Sequence, residues 1–157
     1  MNFVKLSIFL LLFCCNVTAR DLDSTQGSWA IELRADYGFI MAHRPAVLAL
    51  QQAHIPGLEI SFLRPSTGKK FWEESFLYPQ VGFTVAAFDL GSPDYLGQGF
   101  AVYPFINFPL HPTADWNLYF RYGMGLGWIT KTFNTTDRIK NGAIGSHLNG
   151  ILHFDFH

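Results

Sequence analysis

Cysteine is nearly absent from this chain of 157 residues, and the two present, Cys14 and Cys15, sit side by side near the N-terminus. Charge is scarce too: Asp, Glu, Lys and Arg make up 15% of residues, against an ordinary share of about 25%. Beyond the first apolar stretch no run approaches the roughly 20 residues that a membrane-crossing helix needs. No repeat of 20–50 residues recurs along the chain. Each shortage excludes something. The N-terminal run Leu6–Cys15 is too short to span, follows a single positive charge at Lys5, and precedes the small residues of Val17-Thr18-Ala19. It reads as an export signal cleaved after Ala19, leaving residues 20–157 as one domain. A lipoprotein signal using Cys14 or Cys15 is the weaker reading, because Phe13 is too bulky for the position before a lipidated cysteine. With both cysteines in the removed segment, disulfides, thiol catalysis and Cys–zinc sites are excluded from the exported domain. A net charge of −1 offers no electrostatic footprint for nucleic acid.

Aromatic residues are plentiful, at 17%. They gather in the stretch around which the chain is organised, Trp116 to Trp128, WNLYFRYGMGLGW. Trp116, Leu118, Phe120, Tyr122, Met124, Leu126 and Trp128 occupy the even positions, while Asn117, Tyr119, Arg121, Gly123, Gly125 and Gly127 occupy the odd ones. A period of two held this long belongs to a strand between two different solvents. At about 3.3 Å per residue, ten or so tilted residues cross a bilayer core. Trp at both ends of the apolar face suits an interfacial aromatic girdle. A strand of a soluble sandwich also alternates, but its usual length is about 5–6 residues.

The pattern recurs. Trp29 to Phe39 sets Ile31, Leu33, Ala35 and Tyr37 against Glu32, Arg34 and Asp36. Three alternate charges cannot face lipid, where each costs roughly 2–4 kcal/mol near the midplane; they are expected in a polar lumen. Further strands are expected over Gly57–Arg64, Gln80–Phe88, Phe100–Phe108 and Gly142–His157. Pro104 marks a bulge or an unpaired site in the fourth, which is apolar on both faces. Ala46–His54 and Pro65–Tyr78 are expected to hold a helical turn or short helix, and Leu90–Gly99 a turn. The fold class is therefore all-β: an antiparallel up-and-down transmembrane β-barrel with six recognisable strands.

Several constellations invite chemistry. His153, Asp155 and His157 share one strand face about 6.6–7 Å apart, but zinc sites usually draw ligands from several elements, and a row of lumen-facing polar groups is the simpler reading. Ser146 and His147 are the candidate catalytic residues; as strand neighbours they would point to opposite faces and form no nucleophile–base hydrogen bond without a bulge. Gly123-x-Gly125-x-Gly127 lacks the following helix of a phosphate loop and reads as room for curvature. Asn134-Thr135-Thr136 matches a glycosylation acceptor by chance. No metal or organic cofactor is expected.

Ala42-His43-Arg44, Gly57-Leu58-Glu59, Tyr78-Pro79-Gln80-Val81-Gly82, Gly123-Met124-Gly125-Leu126-Gly127 and NGAIGSHLN over residues 141–149 together resemble the acyloxyacyl-hydrolase, or lipid A 3-O-deacylase, family of outer-membrane barrels. The resemblance implies eight strands, location in the bacterial outer membrane, lipopolysaccharide as the partner, and serine-type hydrolysis of the 3-O-linked acyl ester. The family pattern His-x-Ser-Asn meets only His147-Leu148-Asn149 here, with Asn in the serine position and Ser146 on the other side of the histidine. On that alignment the catalytic motif lies beyond His157, and the chain is expected to be an incomplete, catalytically doubtful version of a longer protein. Six strands alone would leave two open edges, each unsatisfied backbone group costing several kcal/mol in hydrocarbon, so the alternative to an incomplete chain is closure by pairing with another chain. Two other classes stay open: a non-enzymatic outer-membrane barrel with a structural or adhesion role, and a soluble periplasmic lipid-binding barrel.

Overall fold

Alternating side chains build a single antiparallel sheet. In the computed structural model, which describes residues 28–41, 45–48, 50, 52–112, 117–136, 141 and 144–157, six strands occur in the order of the chain. They are β1 (Ala30–Gly38), β2 (Ile55–Pro65), β3 (Gln80–Asp89), β4 (Gln98–Pro112), β5 (Asn117–Ile129) and β6 (Leu148–Phe156). Two short helices interrupt the connections, α1 (Pro45–Leu48) and α2 (Phe71–Ser75). Among the described residues no helix is long and apolar enough to cross a membrane. Each strand pairs with the next, and the described sheet does not close: β1 and β6 are its two edges. The export signal, Trp116 and the Ala42-His43-Arg44 block lie outside the described residues.

The register lines up like with like. Leu33, Ile60, Val85, Val102 and Leu126 form one row across five strands, and Arg34, Glu59, Ala86, Ala101, Gly127 and Asn149 form a neighbouring row on the opposite face. One face, the convex one, exposes its apolar side chains: Leu33, Leu58, Val102, Met124, Leu126, Leu152 and Phe154 are each at least half exposed. Polar side chains fill the other: Glu59, Ser61, Thr84, Asn107 and Arg121 are all 1% exposed or less. A water-soluble sheet has the reverse arrangement. The alternation expected for β1, β2, β3 and β5 is present in each.

Glycine shapes the concave face. The core there consists of Leu63, Ala86, Ala101, Tyr103 and Phe105. The Phe105 ring lies over Gly82 and the Tyr103 ring over Gly123, so that a Cβ at either glycine would stand 2.7 Å from a ring carbon. Rings on β4 thus occupy the space that β3 and β5 leave empty, which lets a narrow sheet curl around its own side chains.

Several boundaries differ from the sequence reading. The sixth strand begins at Leu148 rather than Gly142, so Ile144, Ser146 and His147 belong to the preceding loop. The fourth runs to Pro112 instead of ending at Phe108. Pro104 pairs with Phe83 on β3, while its side toward β5 has no bridge between Val102–Leu126 and Phe105–Gly123. The missing N–H makes an unpaired site there, and the register shift falls farther along, between Pro109 and His111. In the β3–β4 turn, Gly91 and Gly97 take φ of 66° and 68°, values that L side chains avoid.

Candidate functional site on the concave face

Strand parity delivers Glu32, Arg34 and Asp36 from β1, Glu59 from β2, Tyr103 and Asn107 from β4, Arg121 from β5 and His153 and Asp155 from β6 to the same face. Two guanidinium groups organise them. Arg121 reaches across from β5 to β1, its Nη1 lying 3.0 Å from Glu32 Oε1 and its Nη2 3.1 Å from Glu32 Oε2. Its Nε donates to Asn107 Oδ1 at 2.8 Å, and the guanidinium carbon stands 4.1 Å from the centre of the Phe105 ring. Arg34 donates to Asp155 on β6 at 2.6 Å and to Glu32 at 3.1 Å. These pairs link the edge strand β1 to β5 and β6, with which it shares no described backbone ladder. Planar forks with two parallel bonds suit such bridges better than lysine would.

Tyr103 forms the second centre. Its hydroxyl donates to Glu59 Oε1 at 2.9 Å and lies 3.3 Å from His153 Nδ1, while the two rings stack with centroids 4.9 Å apart. A phenol has one proton to give. With that proton directed at Glu59, the 3.3 Å contact is a hydrogen bond when His153 carries its proton on Nδ1 and donates it to the Tyr103 oxygen, the tautomer that leaves Nε2 with a bare lone pair. His153 Nε2, Glu59 Oε2 and Asp36 Oδ2 are buried acceptors with no hydrogen-bond donor, although Arg34 approaches Glu59 Oε2 to 3.8 Å. An unsatisfied buried acceptor costs about 1–3 kcal/mol, so three in one region ask for an explanation.

A cleft of about 240 Å³ adjoins this centre. Glu59, Tyr103 and His153 contribute to its lining, and Phe88, Leu90, Ile129 and Ile151 supply apolar walls. It draws on the half of the sheet nearest the β3–β4 and β5–β6 connections.

Ser146 and His147 lie elsewhere. Ser146 Oγ donates to the Leu148 carbonyl at 2.5 Å, whereas His147 Nδ1 lies 2.7 Å from the Ile129 carbonyl and its ring stacks on Trp128. The two side chains are not bonded to each other, and each is exposed. His153, Asp155 and His157 share a face as expected, but their partners are Tyr103, Arg34 and each other: Asp155 Oδ2 is 3.2 Å from His157 Nδ1. Among the described residues no three His, Cys, Asp or Glu side chains are grouped to hold a metal ion.

Sequence reading placed Glu32, Arg34 and Asp36 inside but missed the part of Tyr103 and Asn107, because β4 looked apolar on both faces. The signal was present: Tyr103 and Asn107 share odd parity, and hydrogen-bonding tips on one face of a strand mark the polar side. No protein-family model, curated protein or solved structure matches this chain.

Proposed function

We propose that this chain forms the lipid-facing wall of an outer-membrane β-barrel of the lipid A deacylase type, with lipopolysaccharide and outer-membrane lipid as its surroundings. One observation carries the reading: apolar side chains cover the convex face across all six strands, while charged and polar ones are buried on the concave face. A continuous apolar surface of this kind is unstable in water, at roughly 25 cal/mol for each Å² left exposed. Lipid removes that cost on one side, and the ion pairs shelter the charges on the other. Aromatic side chains stand toward both ends of the exposed face, Trp29 and Phe156 at one and Tyr37 and Trp128 at the other, as interfacial girdles require.

Ester hydrolysis rests on the sequence blocks that resemble the deacylases. A second reading, a non-enzymatic wall, draws support from Ser146 and His147, whose side chains are both engaged with backbone carbonyls rather than with each other. Separate readouts distinguish the layers. In a variant whose one tryptophan is Trp128, brominated phospholipid should quench the fluorescence, and the chain should remain with membranes through alkaline extraction. Absence of quenching together with release into the aqueous fraction would sink the membrane reading. Mass spectrometry of lipid A from cells with and without the chain tests hydrolysis: loss of the 3-O-linked acyl group supports it, and unchanged lipid A leaves the non-enzymatic wall.

A further inference from the structure

We propose that the concave-face cleft binds a primary ammonium group carried on a short apolar body. The inference stands on the interior alone and holds whatever covers the convex face. With its histidines counted as neutral, among them His157 at 3.2 Å from Asp155, the network contains four carboxylates, Glu32, Asp36, Glu59 and Asp155, against two guanidiniums, Arg34 and Arg121. Both guanidiniums are already engaged, Arg121 with both oxygens of Glu32 and Arg34 with Asp155 and Glu32, so that Arg34 comes no nearer than 3.8 Å to Glu59 Oε2 and gives it no hydrogen bond. The surplus is negative, and the cluster is largely shielded from water: Glu59 is 1% exposed.

Glu59 Oε2 and His153 Nε2, on two residues that line the cleft, are acceptors lacking a donor. Asp36 Oδ2, on the same face of the neighbouring strand but outside the cleft lining, is a further one. Groups that only accept call for a ligand that only donates. An ammonium has three donors and no acceptor, and it carries the sign that the surplus lacks. A carboxylate or phosphate fails on both counts.

Size and lining set the rest of the ligand. A cavity of about 150 Å³ accepts benzene. By that measure the present cleft, at about 240 Å³, takes a body of about ten non-hydrogen atoms. Phe88, Leu90, Ile129 and Ile151 offer that body apolar contact, with the polar centre at hand for its head.

The test uses the full chain folded in detergent micelles, titrated calorimetrically with 2-phenylethylammonium and corrected by titration into micelles alone. Uncharged 2-phenylethanol and anionic 3-phenylpropionate are the comparison ligands, and the His153 imidazole resonances report where binding occurs. The ammonium should bind and shift those resonances, the alcohol should bind at least about tenfold more weakly for want of charge-assisted bonds, and the carboxylate should not bind. Glu59→Gln preserves an acceptor for Tyr103 and should lower ammonium affinity to the alcohol's level. The proposal is overturned if the folded chain does not bind the ammonium, if the alcohol matches it, or if E59Q binds unchanged. Because the ligand series needs no substitution, it decides the matter even where E59Q does not fold.

Discussion

Arg121 shows most plainly how this chain inverts the usual rule for charged residues. Its residue exposure is 0%, and it holds both oxygens of Glu32, the side-chain oxygen of Asn107 and the face of Phe105. A charge buried this deeply survives only with its donors matched, and removing one partner of such a pair costs roughly 3–5 kcal/mol. Arg121→Met should therefore destabilise the fold by about 3 kcal/mol, the lower end of that range, since it takes the donor from Glu32 Oε2 while Arg34 still holds Oε1. Arg121→Lys keeps the charge but loses the planar fork, so its loss should be smaller. Denaturant midpoints of the refolded chain measure both, and an R121M midpoint equal to wild type would show that the pair contributes nothing. This arginine was legible from sequence only as one odd position in an alternating run. Its partners lie 14 and 89 residues away, a separation that local periodicity does not encode.

Within elements, β5 carries the clearest alternation and the sharpest contrast between its glycines and those of its neighbour. A Cβ on Gly125 would come within 2.2 Å of the Val102 carbonyl oxygen, whereas Gly150 on β6 has open space around the equivalent point. Gly125→Ala should destabilise by about 1–3 kcal/mol, because backbone must move. Gly150→Ala should instead stabilise by about 0.5–1 kcal/mol, since glycine inside a strand costs conformational entropy. Opposite shifts of the thermal midpoint are the expected outcome; shifts of the same sign would contradict the tight contact at Gly125 and the open space at Gly150. The strands themselves were readable because side-chain period two needs only the chain itself. The start of β6 is not legible in the sequence, because Ile144, Ser146 and Leu148 continue the apparent alternation through a loop. There Phe133 N–H donates to the Ile144 carbonyl and Ile129 N–H to the His147 carbonyl, outside the main ladder.

At the level of the whole molecule, side chains do what backbone pairing does not. Arg34–Asp155 and Arg121–Glu32 draw β1 toward β5 and β6 across the concave face, although the described sheet has no ladder between its edges. Neutralising both carboxylates with Glu32→Gln and Asp155→Asn should relax the curl. Spin labels at Leu33→Cys and Phe154→Cys, both on the exposed face, read that distance in a chain with Cys14 and Cys15 replaced by serine. A longer, broader distance distribution in the double variant is expected. An unchanged distribution would assign the curl to backbone twist and to the β4 rings packed over glycine.

Sequence alone determined that the chain is made of strands, which residues of β1, β2, β3 and β5 share a face, and that the two faces differ in polarity. Those properties follow from the two-residue repeat of an extended backbone, which is local. Only the tertiary structure decided which buried charges meet, that Tyr103 joins Glu59 to His153, and that a cleft is lined by two residues carrying acceptors with no donor. Such meetings depend on register and curvature across strands far apart in the chain, and alternation along any one strand carries no information about them.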